Sequence, residues 1–194
     1  PVDDEGRTGI RKKLGLPVDK KIVGFIGRYD IWKGHLIFLE AARSIALERS
    51  DVAFLMVGGT PTGKYFPKVD AYKRNVDDWI AAHPLGGRLI VWGHREDVPE
   101  IMRSLDVFVC SSDYEPFGLI VLEALSAGRP VVASRTVGAL EATGQQPGVY
   151  IAEPNDAASF SRMIAEALTP GTTVDAAVTI ARYSWESYAD NYQA

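Results

Sequence analysis

Two carboxylates separated by seven residues are the first candidates for chemistry. Glu115 and Glu123 lie in the stretch Asp113–Ser134, which reads DYEPFGLIVLEALSAGRPVVAS. Glu115 precedes a predicted turn, and Glu123 lies in a helical segment whose other residues are almost all apolar. A helix that is apolar all round is usually buried, and a buried carboxylate is costly unless it is hydrogen-bonded. The pattern therefore predicts a partner for Glu123, either a basic residue of the fold or a ligand.

The two glutamates suit a sugar ligand. A carboxylate can accept hydrogen bonds from two neighbouring hydroxyls, which fits the diol of a ribose or of a sugar ring. Two simpler interpretations stay open at this point. Glu123 could be an edge residue that reaches solvent, and Glu115 could be an ordinary acid of a surface loop.

Two cations, Arg28 and Lys33, follow the first predicted strand, which ends at Gly27. A pair of cations at the end of a strand can neutralise a diphosphate, and an arginine can also bind phosphate oxygens through two parallel hydrogen bonds. The alternative is that both are ordinary charges on a solvated loop. This segment alone supports the two interpretations about equally.

Three further segments could contact a ligand. A junction between loop and helix is predicted over 116–119, where Gly118 permits close approach of the backbone. The first amides of a helix lack intrahelical acceptors, and they bind anions. Gly58 closes the second strand, and His94 and Arg95 follow the third, where they could meet a base or a phosphate. An ordinary loop histidine is the simpler interpretation of His94 alone.

Apolar strands alternate with helices along the chain. The strands are predicted at 21–26, 52–57, 88–92, 107–110, 130–133 and 149–151. The helices are predicted at 7–14, 33–48, 64–82, 98–104, 117–127, 156–168, 174–182 and 185–192. This order predicts an α/β fold in which a parallel sheet is covered by helices on both faces. Such sheets bind ligands at the carboxyl ends of their strands, and each of the segments singled out as a candidate follows such an end.

Composition limits the classes of function. The 194 residues suit one domain or one half of a two-domain enzyme, and a net charge of −4 gives no sign of nucleic-acid binding. A single cysteine, Cys110, excludes an internal disulfide and fits a reducing compartment. No apolar run is long enough to span a membrane, and the polar start does not resemble a signal peptide. Because the first residue is not methionine, we expect a piece of a longer protein.

Four segments in a fixed order carry a resemblance to a known family. They are VGFIGRYDIWKG, FLMVGG, the long segment from VWGHRED to PVVAS, and VGALEA at 137–142. Together they resemble the carboxyl-terminal half of a retaining glycosyltransferase of the GT-B fold, in the group 1 class, family 4. The resemblance covers residues 21–168, and its central segment is the specific one. It implies a linker and lead-in helix over 1–20, a Rossmann-like nucleotide-sugar-binding domain over 21–194, and an absent amino-terminal acceptor domain.

The resemblance also implies roles for single residues. Arg28 and Lys33 would hold the nucleotide diphosphate and stabilise its charge as it departs, and Glu115 would hydrogen-bond the donor sugar. Glu123 would bind the ribose. The rest of the expected donor-binding set comprises Gly27, Gly58, His94, Arg95, Pro116, Phe117, Gly118 and Leu119.

The same resemblance sets expectations for partners. The substrate would be a nucleoside-diphosphate sugar, with no other cofactor, no divalent metal and retention of anomeric configuration. The acceptor would bind through the missing half, so we expect this chain to bind nucleotide without transferring sugar alone. We expect a cytoplasmic protein, with peripheral contact at the inner face of the membrane left open for the intact protein. A sugar-nucleotide epimerase and a non-catalytic binding module are the competing functions.

Overall fold

The computed structural model describes residues 2–60, 67–136, 138, 146–172 and 174–183. The predicted helix 185–192, the start of the helix predicted at 64–82, and most of the VGALEA segment lie outside these residues. The strands are β1 (Lys21–Ile26), β2 (Val52–Val57), β3 (Leu89–Trp92), β4 (Val107–Cys110), β5 (Val131–Ser134) and β6 (Val149–Ala152). The helices are α1 (Asp4–Leu14), α2 (His35–Glu48), α3 (Pro67–Ala82), α4 (Val98–Ser104), α5 (Leu119–Ser126), α6 (Ala157–Ala167) and α7 (Ala176–Tyr183). A short 3-10 turn, Ile31–Lys33, precedes α2.

The strands form one six-stranded sheet in the order β3-β2-β1-β4-β5-β6, and every neighbouring pair is parallel. This confirms the predicted Rossmann-like α/β fold. The direction of winding reverses between β1 and β4. In open sheets of this kind the crevice at that reversal, outside the carboxyl ends of the strands, is where ligands bind.

Helices cover both faces of the sheet, as predicted. On one face, α2, α3 and α6 contribute Phe38, Val76 and Phe160 to a core that also contains Phe25 and Phe54 of the strands. On the other face, α4 and α5 pack over the alternate strand residues, among them Ile22, Leu55 and Phe108. Because both faces are covered, the strands are apolar on both sides.

Special backbone residues explain small differences from the predicted boundaries. Gly34 and Gly118 adopt left-handed conformations with φ of 74° and 85°, so α2 and α5 begin at the residue after each glycine. The strand predicted from Pro130 begins at Val131, since proline cannot donate a hydrogen bond to its neighbour. Asp156 caps α6 by accepting a hydrogen bond from the Ser159 amide at 2.9 Å.

Helix α1 packs against α4 and is held there by one buried side chain. Arg11 donates to the Ser104 carbonyl at 2.8 Å, to the Lys20 carbonyl at 3.0 Å and to the Asp106 carboxylate at 2.6 Å. The lead-in helix is thereby tied to the amino edge of the sheet, which is the side at which the parallel strands begin. The carboxyl edge is the side at which they end.

None of the helices in the described part of the chain has the length and apolar character that a bilayer span requires.

Candidate functional site

An ion pair lies at the reversal of the sheet, between the loops that follow β1 and β4. Lys33 ends the 3-10 turn after β1, and Glu115 lies in the loop after β4. The Lys33 ammonium donates to Glu115 Oε2 at 2.7 Å, and the Ser112 hydroxyl is 3.4 Å from the same oxygen. The two side chains are 27% and 13% exposed, so the pair is partly shielded but open to a ligand. The structure thus brings together two of the three predicted catalytic residues.

The two loops that carry this pair pack backbone against backbone. A Cβ atom on Gly34 would lie 2.0 Å from the Ser111 carbonyl oxygen, and the Ser111 hydroxyl donates to the Gly34 carbonyl at 2.9 Å. The amide of Asp113 donates to the Trp32 carbonyl at 2.8 Å. The position of Lys33 relative to Glu115 is therefore fixed by main-chain contacts rather than by the ion pair alone.

Glycines permit similar close backbone contacts along the rest of the carboxyl edge of the sheet. A Cβ on Gly58 would lie 1.8 Å from the Gly27 carbonyl oxygen, so the ends of β1 and β2 approach as closely as backbone allows. Gly138, in the segment after β5, would place a Cβ 2.2 Å from the carbonyl oxygen of Glu115. No side chain fits at either position without a backbone shift.

Helix α5 begins four residues after Glu115, at the end of the loop that carries this carboxylate. Gly118 precedes the helix, and the Gly118 carbonyl accepts a hydrogen bond from the Val121 amide at 2.9 Å. No side chain caps the first amides of the helix. The free first amides and the dipole of the helix favour an anion here. Large apolar side chains are exposed in the two loops and at the first residue of the helix: Ile31, Trp32, Tyr114, Phe117 and Leu119. Pro116 and Arg28 are exposed on the same loops.

The structure corrects the expectation that Glu123 is buried and needs a partner. Glu123 is exposed, because α5 instead buries the residues on either side of it: Val121, Leu122, Ala124 and Leu125. Partial burial raises the pKa of the Glu123 carboxyl. The side chain lines a cavity of about 470 Å³ together with Val98, Pro99, Met102, Arg103, Ser126 and Ala127. Within the described residues, no hydrogen bond or ion pair joins Glu123 to Lys33 or Glu115.

The residues after β3 are arranged around an ion pair of their own. The Arg95 guanidinium donates to the Asp97 carboxylate at 2.8 Å and lies 4.9 Å from the centre of the Trp92 ring. The hydrogen bond to Asp97 raises the pKa of Arg95. His94 is exposed and packs beside Gly59, where a Cβ would lie 3.0 Å from the His94 Cβ.

His35, at the first position of α2, is a site residue that the sequence patterns did not single out. Its ring is buried, stacks on Tyr29 at 4.7 Å between centroids and contacts Phe25 at 4.6 Å. Burial lowers the pKa of His35 to about 4, so the imidazole is neutral at neutral pH. Its place directly after Lys33 and Gly34, on the apolar face of α2, is the signal that could have indicated it.

Asn155 and Asp113 form a second missed contact. Asn155 has a left-handed backbone with φ of 57°, and its side-chain amide donates to the Asp113 carboxylate at 2.9 Å. Asparagine enters this conformation more readily than most residues. The contact ties the loop after β6 to the loop that carries Glu115.

The described residues contain no group of three or more His, Cys, Asp or Glu side chains that could hold a metal ion.

Comparisons with known proteins agree on one family. The family model for glycosyl transferases group 1 matches residues 6–183. The lipopolysaccharide core biosynthesis mannosyltransferase LpsB of Rhizobium meliloti is 34% identical over 150 residues, covering 75% of this chain and 41% of that protein. A D-inositol 3-phosphate glycosyltransferase of Corynebacterium urealyticum is 26% identical over 195 residues, covering 97% of this chain and 46% of that protein.

A solved structure shares the fold. The crystal structure of Alr3699/HepE from Anabaena in complex with UDP-glucose has a TM-score of 0.82 and 25% identity, covering 99% of this chain and 52% of that one. The likeness confirms the predicted carboxyl-terminal domain of the GT-B type. The chain spans about half the length of these three proteins.

Proposed function

The chain belongs to the group 1 glycosyl transferases, and on that premise we propose that it is the donor-binding half of a retaining glycosyltransferase. The substrate is a nucleoside-diphosphate sugar, and the sugar passes to an acceptor hydroxyl. The observation that carries the proposal is the Lys33–Glu115 pair at the reversal of the sheet, 2.7 Å apart and open to a ligand. The UDP-glucose held by the Anabaena protein supports this class of donor.

The proposed mechanism stabilises a departing diphosphate. As the bond between the anomeric carbon and the diphosphate breaks, negative charge develops on the phosphate oxygens. Lys33, Arg28 and the first amides of α5 are the groups that meet this charge, because fixed donors in a partly dry crevice stabilise it better than water does. Glu115 accepts a hydrogen bond from a sugar hydroxyl and orients the ring. In this scheme the protein cations make a divalent metal unnecessary.

The nucleoside extends from the diphosphate toward α4 and α5. Glu123 accepts hydrogen bonds from the ribose hydroxyls, and the loop with His94 and Arg95 contacts the base. The Gly27, Gly58 and Gly118 backbones, with Pro116, Phe117 and Leu119, form the wall around the phosphates and the sugar. The close approach of the Gly58 and Gly27 backbones supports this arrangement, since it keeps side chains out of that wall.

The acceptor site belongs to the part of the longer protein that this chain lacks. The chain spans about half of the relatives it matches, so we infer that it binds the donor but does not transfer sugar alone. We place the intact protein in the cytoplasm, where Cys110 stays reduced, with the acceptor side available to the inner face of the membrane.

Calorimetric titration of the chain with UDP-, GDP- and ADP-sugars tests donor binding and identifies the base. We expect one of the three to bind, and Lys33→Ala to weaken its binding at least about tenfold, since hydrogen bonds to charged groups contribute roughly 1.5–3 kcal/mol. The matched control is Lys20→Ala. That lysine lies before β1, at the opposite edge of the sheet, and donates to the Ser50 carbonyl at 3.1 Å. Equal affinities for wild type and Lys33→Ala would remove Lys33 from the site.

An assay of the intact protein separates the competing functions. A glycosyltransferase consumes the donor only in the presence of an acceptor, and Lys33→Ala lowers turnover at least about tenfold, as expected for a lost transition-state donor. An epimerase would convert the sugar nucleotide without an acceptor. A binding module would bind the nucleotide sugar with no turnover at all.

A further inference from the structure

A second cavity lies at the amino edge of the sheet, beside the amino ends of β1, β4 and β5 and opposite the donor site. It measures about 450 Å³, and the turn at residues 169–172 is part of its lining. Three cations line it, Arg7, Lys21 and Arg129, together with the carboxylates Asp4 and Asp106. Nothing in the proposed transfer reaction uses these residues.

Arg129 is the buried cation of this cavity. It is only 6% exposed, although it lines the cavity. Its Nε donates to the Ala127 carbonyl at 3.2 Å and its Nη1 to the Leu105 carbonyl at 3.0 Å. The other terminal nitrogen has no hydrogen-bond partner among the described residues. Burial, together with the nearby charges of Arg7 and Arg11, lowers the pKa of Arg129 to about 10 against the opposing effect of Asp106.

The carboxylates of the cavity do not neutralise this charge. Asp106 already accepts hydrogen bonds from Arg11 and from the Ile22 amide, each at 2.6 Å. Arg7 and Lys21 approach Asp106 only to 3.6 Å, and Asp4 is paired with Arg7. Lys21 therefore has only a 3.6 Å contact with a carboxylate that is already occupied, and no ion pair of Arg129 is found among the described residues. The three cations of the cavity outnumber its two carboxylates, so the cavity carries surplus positive charge.

We propose that this cavity binds a ligand that carries a phosphate group, either inorganic phosphate or a small phosphate monoester. A dianionic phosphate would accept from the free edge of the Arg129 guanidinium, and Lys21 and Arg7 would supply the remaining charge. The volume lies in the range of small-molecule sites. The site is on the edge of the sheet opposite Lys33 and Glu115, so it is independent of the donor.

Thermal unfolding of the chain with inorganic phosphate or with glycerol 3-phosphate tests the proposal, against chloride at the same ionic strength. We expect a saturable rise in Tm with at least one of the two, and the ligand with the larger effect distinguishes free phosphate from a monoester. Arg129→Gln should weaken the response at least tenfold in ligand concentration. Lys12→Gln, an exposed lysine on the same helix as Arg7, is the matched control and should leave the response unchanged.

Two more variants keep the result decisive. Lys21→Gln leaves the Arg129 hydrogen bonds in place and should weaken the response about threefold or more even where Arg129→Gln does not fold. Lys33→Ala weakens phosphate binding at the donor site, so the part of the response that depends on Arg129 and Lys21 should persist in that variant. The absence of any response beyond that to chloride would overturn the proposal. So would a response that survives Lys21→Gln or that disappears in Lys33→Ala, since it would then belong to the donor site or to the surface in general.

Discussion

The two edges of the sheet hold ion pairs of similar chemistry in different surroundings. At the carboxyl edge, Lys33 and Glu115 are partly exposed and lie on loops. At the amino edge, the Asp106 side chain is only 8% exposed and its Oδ2 accepts from both Arg11 and a strand amide. The first pair can exchange its partner for a ligand. The second is already satisfied by the protein and ties α1 to the sheet. A basic–acidic pair is thus proposed to serve binding at the carboxyl edge, whereas the Arg11–Asp106 pair at the amino edge stabilises the fold.

The largest effect is expected for Asp106→Ala. The substitution leaves the buried Arg11 guanidinium without its carboxylate and the Ile22 amide without its acceptor. Removing one partner of a buried ion pair costs about 3–5 kcal/mol, which urea unfolding would measure. Asp51→Ala, which breaks an exposed pair with Arg49, should cost at most about 1 kcal/mol. A loss from Glu115→Ala as large as that from Asp106→Ala would contradict the contrast between the two edges.

Two glycines with nearly the same backbone conformation test the packing of the site loops. Gly34 and Gly15 have φ of 74° and 70°, but a Cβ meets the Ser111 carbonyl at 2.0 Å on Gly34 and nothing within 4 Å on Gly15. Gly15→Ala should cost about 1–2 kcal/mol for the left-handed conformation. Gly34→Ala adds about 1–3 kcal/mol of overpacking and should also weaken donor binding. Equal losses of stability in the two variants would show that the Ser111 carbonyl can move away from the added Cβ without a further loss of stability.

The sequence predicted the elements of the fold because the signals are local. Each strand is an apolar run, and glycines mark the ends of most of them. The shifts at Gly34, Gly118 and Pro130 arose where a single residue imposed its own backbone geometry. Lys33 and Glu115 were predicted as partners in one site because both follow strand ends, and topology brings those ends together.

The parts of the site that the sequence did not indicate depend on distant contacts. Arg11 and Asp106 are 95 residues apart, and Asn155 and Asp113 are 42 apart. No periodicity links such residues. Glu123 was misjudged for a related reason, because an apolar composition does not show which face of a short helix meets solvent. The roles given to Arg28, Glu115 and Glu123 toward a ligand stay predictions.

His35, which is buried next to the loop that carries Lys33, makes a pH-dependent contribution to the free energy of unfolding. Its folded pKa of about 4 lies below the ordinary value of 6.5, so the unfolded chain binds this proton more tightly. The contribution is therefore complete above pH 6.5 and is lost as the pH falls toward 4, at a total of about 3 kcal/mol. Urea unfolding between pH 7 and pH 4.5 should show this slope.

Two variants assign the slope to His35. His35→Phe keeps an aromatic ring in the stack and should flatten the part of the pH dependence that lies between pH 6.5 and 4. His94→Gln, at an exposed position of the same edge, should leave it unchanged. A slope that persists in His35→Phe would have to come from other groups, and it would mean that His35 is not neutral by burial.

The smallest effect on stability, within about 0.5 kcal/mol, is expected for Glu123→Gln, because the side chain is exposed and makes no ion pair among the described residues. The effect of Glu123→Gln on binding should differ between nucleotide and pyrophosphate. A carboxylate that accepts from ribose hydroxyls contributes to nucleotide affinity but not to pyrophosphate affinity. Titration should show nucleoside diphosphate binding weakened roughly tenfold with pyrophosphate unchanged, and Glu40→Gln, exposed on α2, should alter neither. Equal weakening of both ligands would place Glu123 near the phosphates rather than the ribose, and the nucleoside would then lie elsewhere than between α4 and α5.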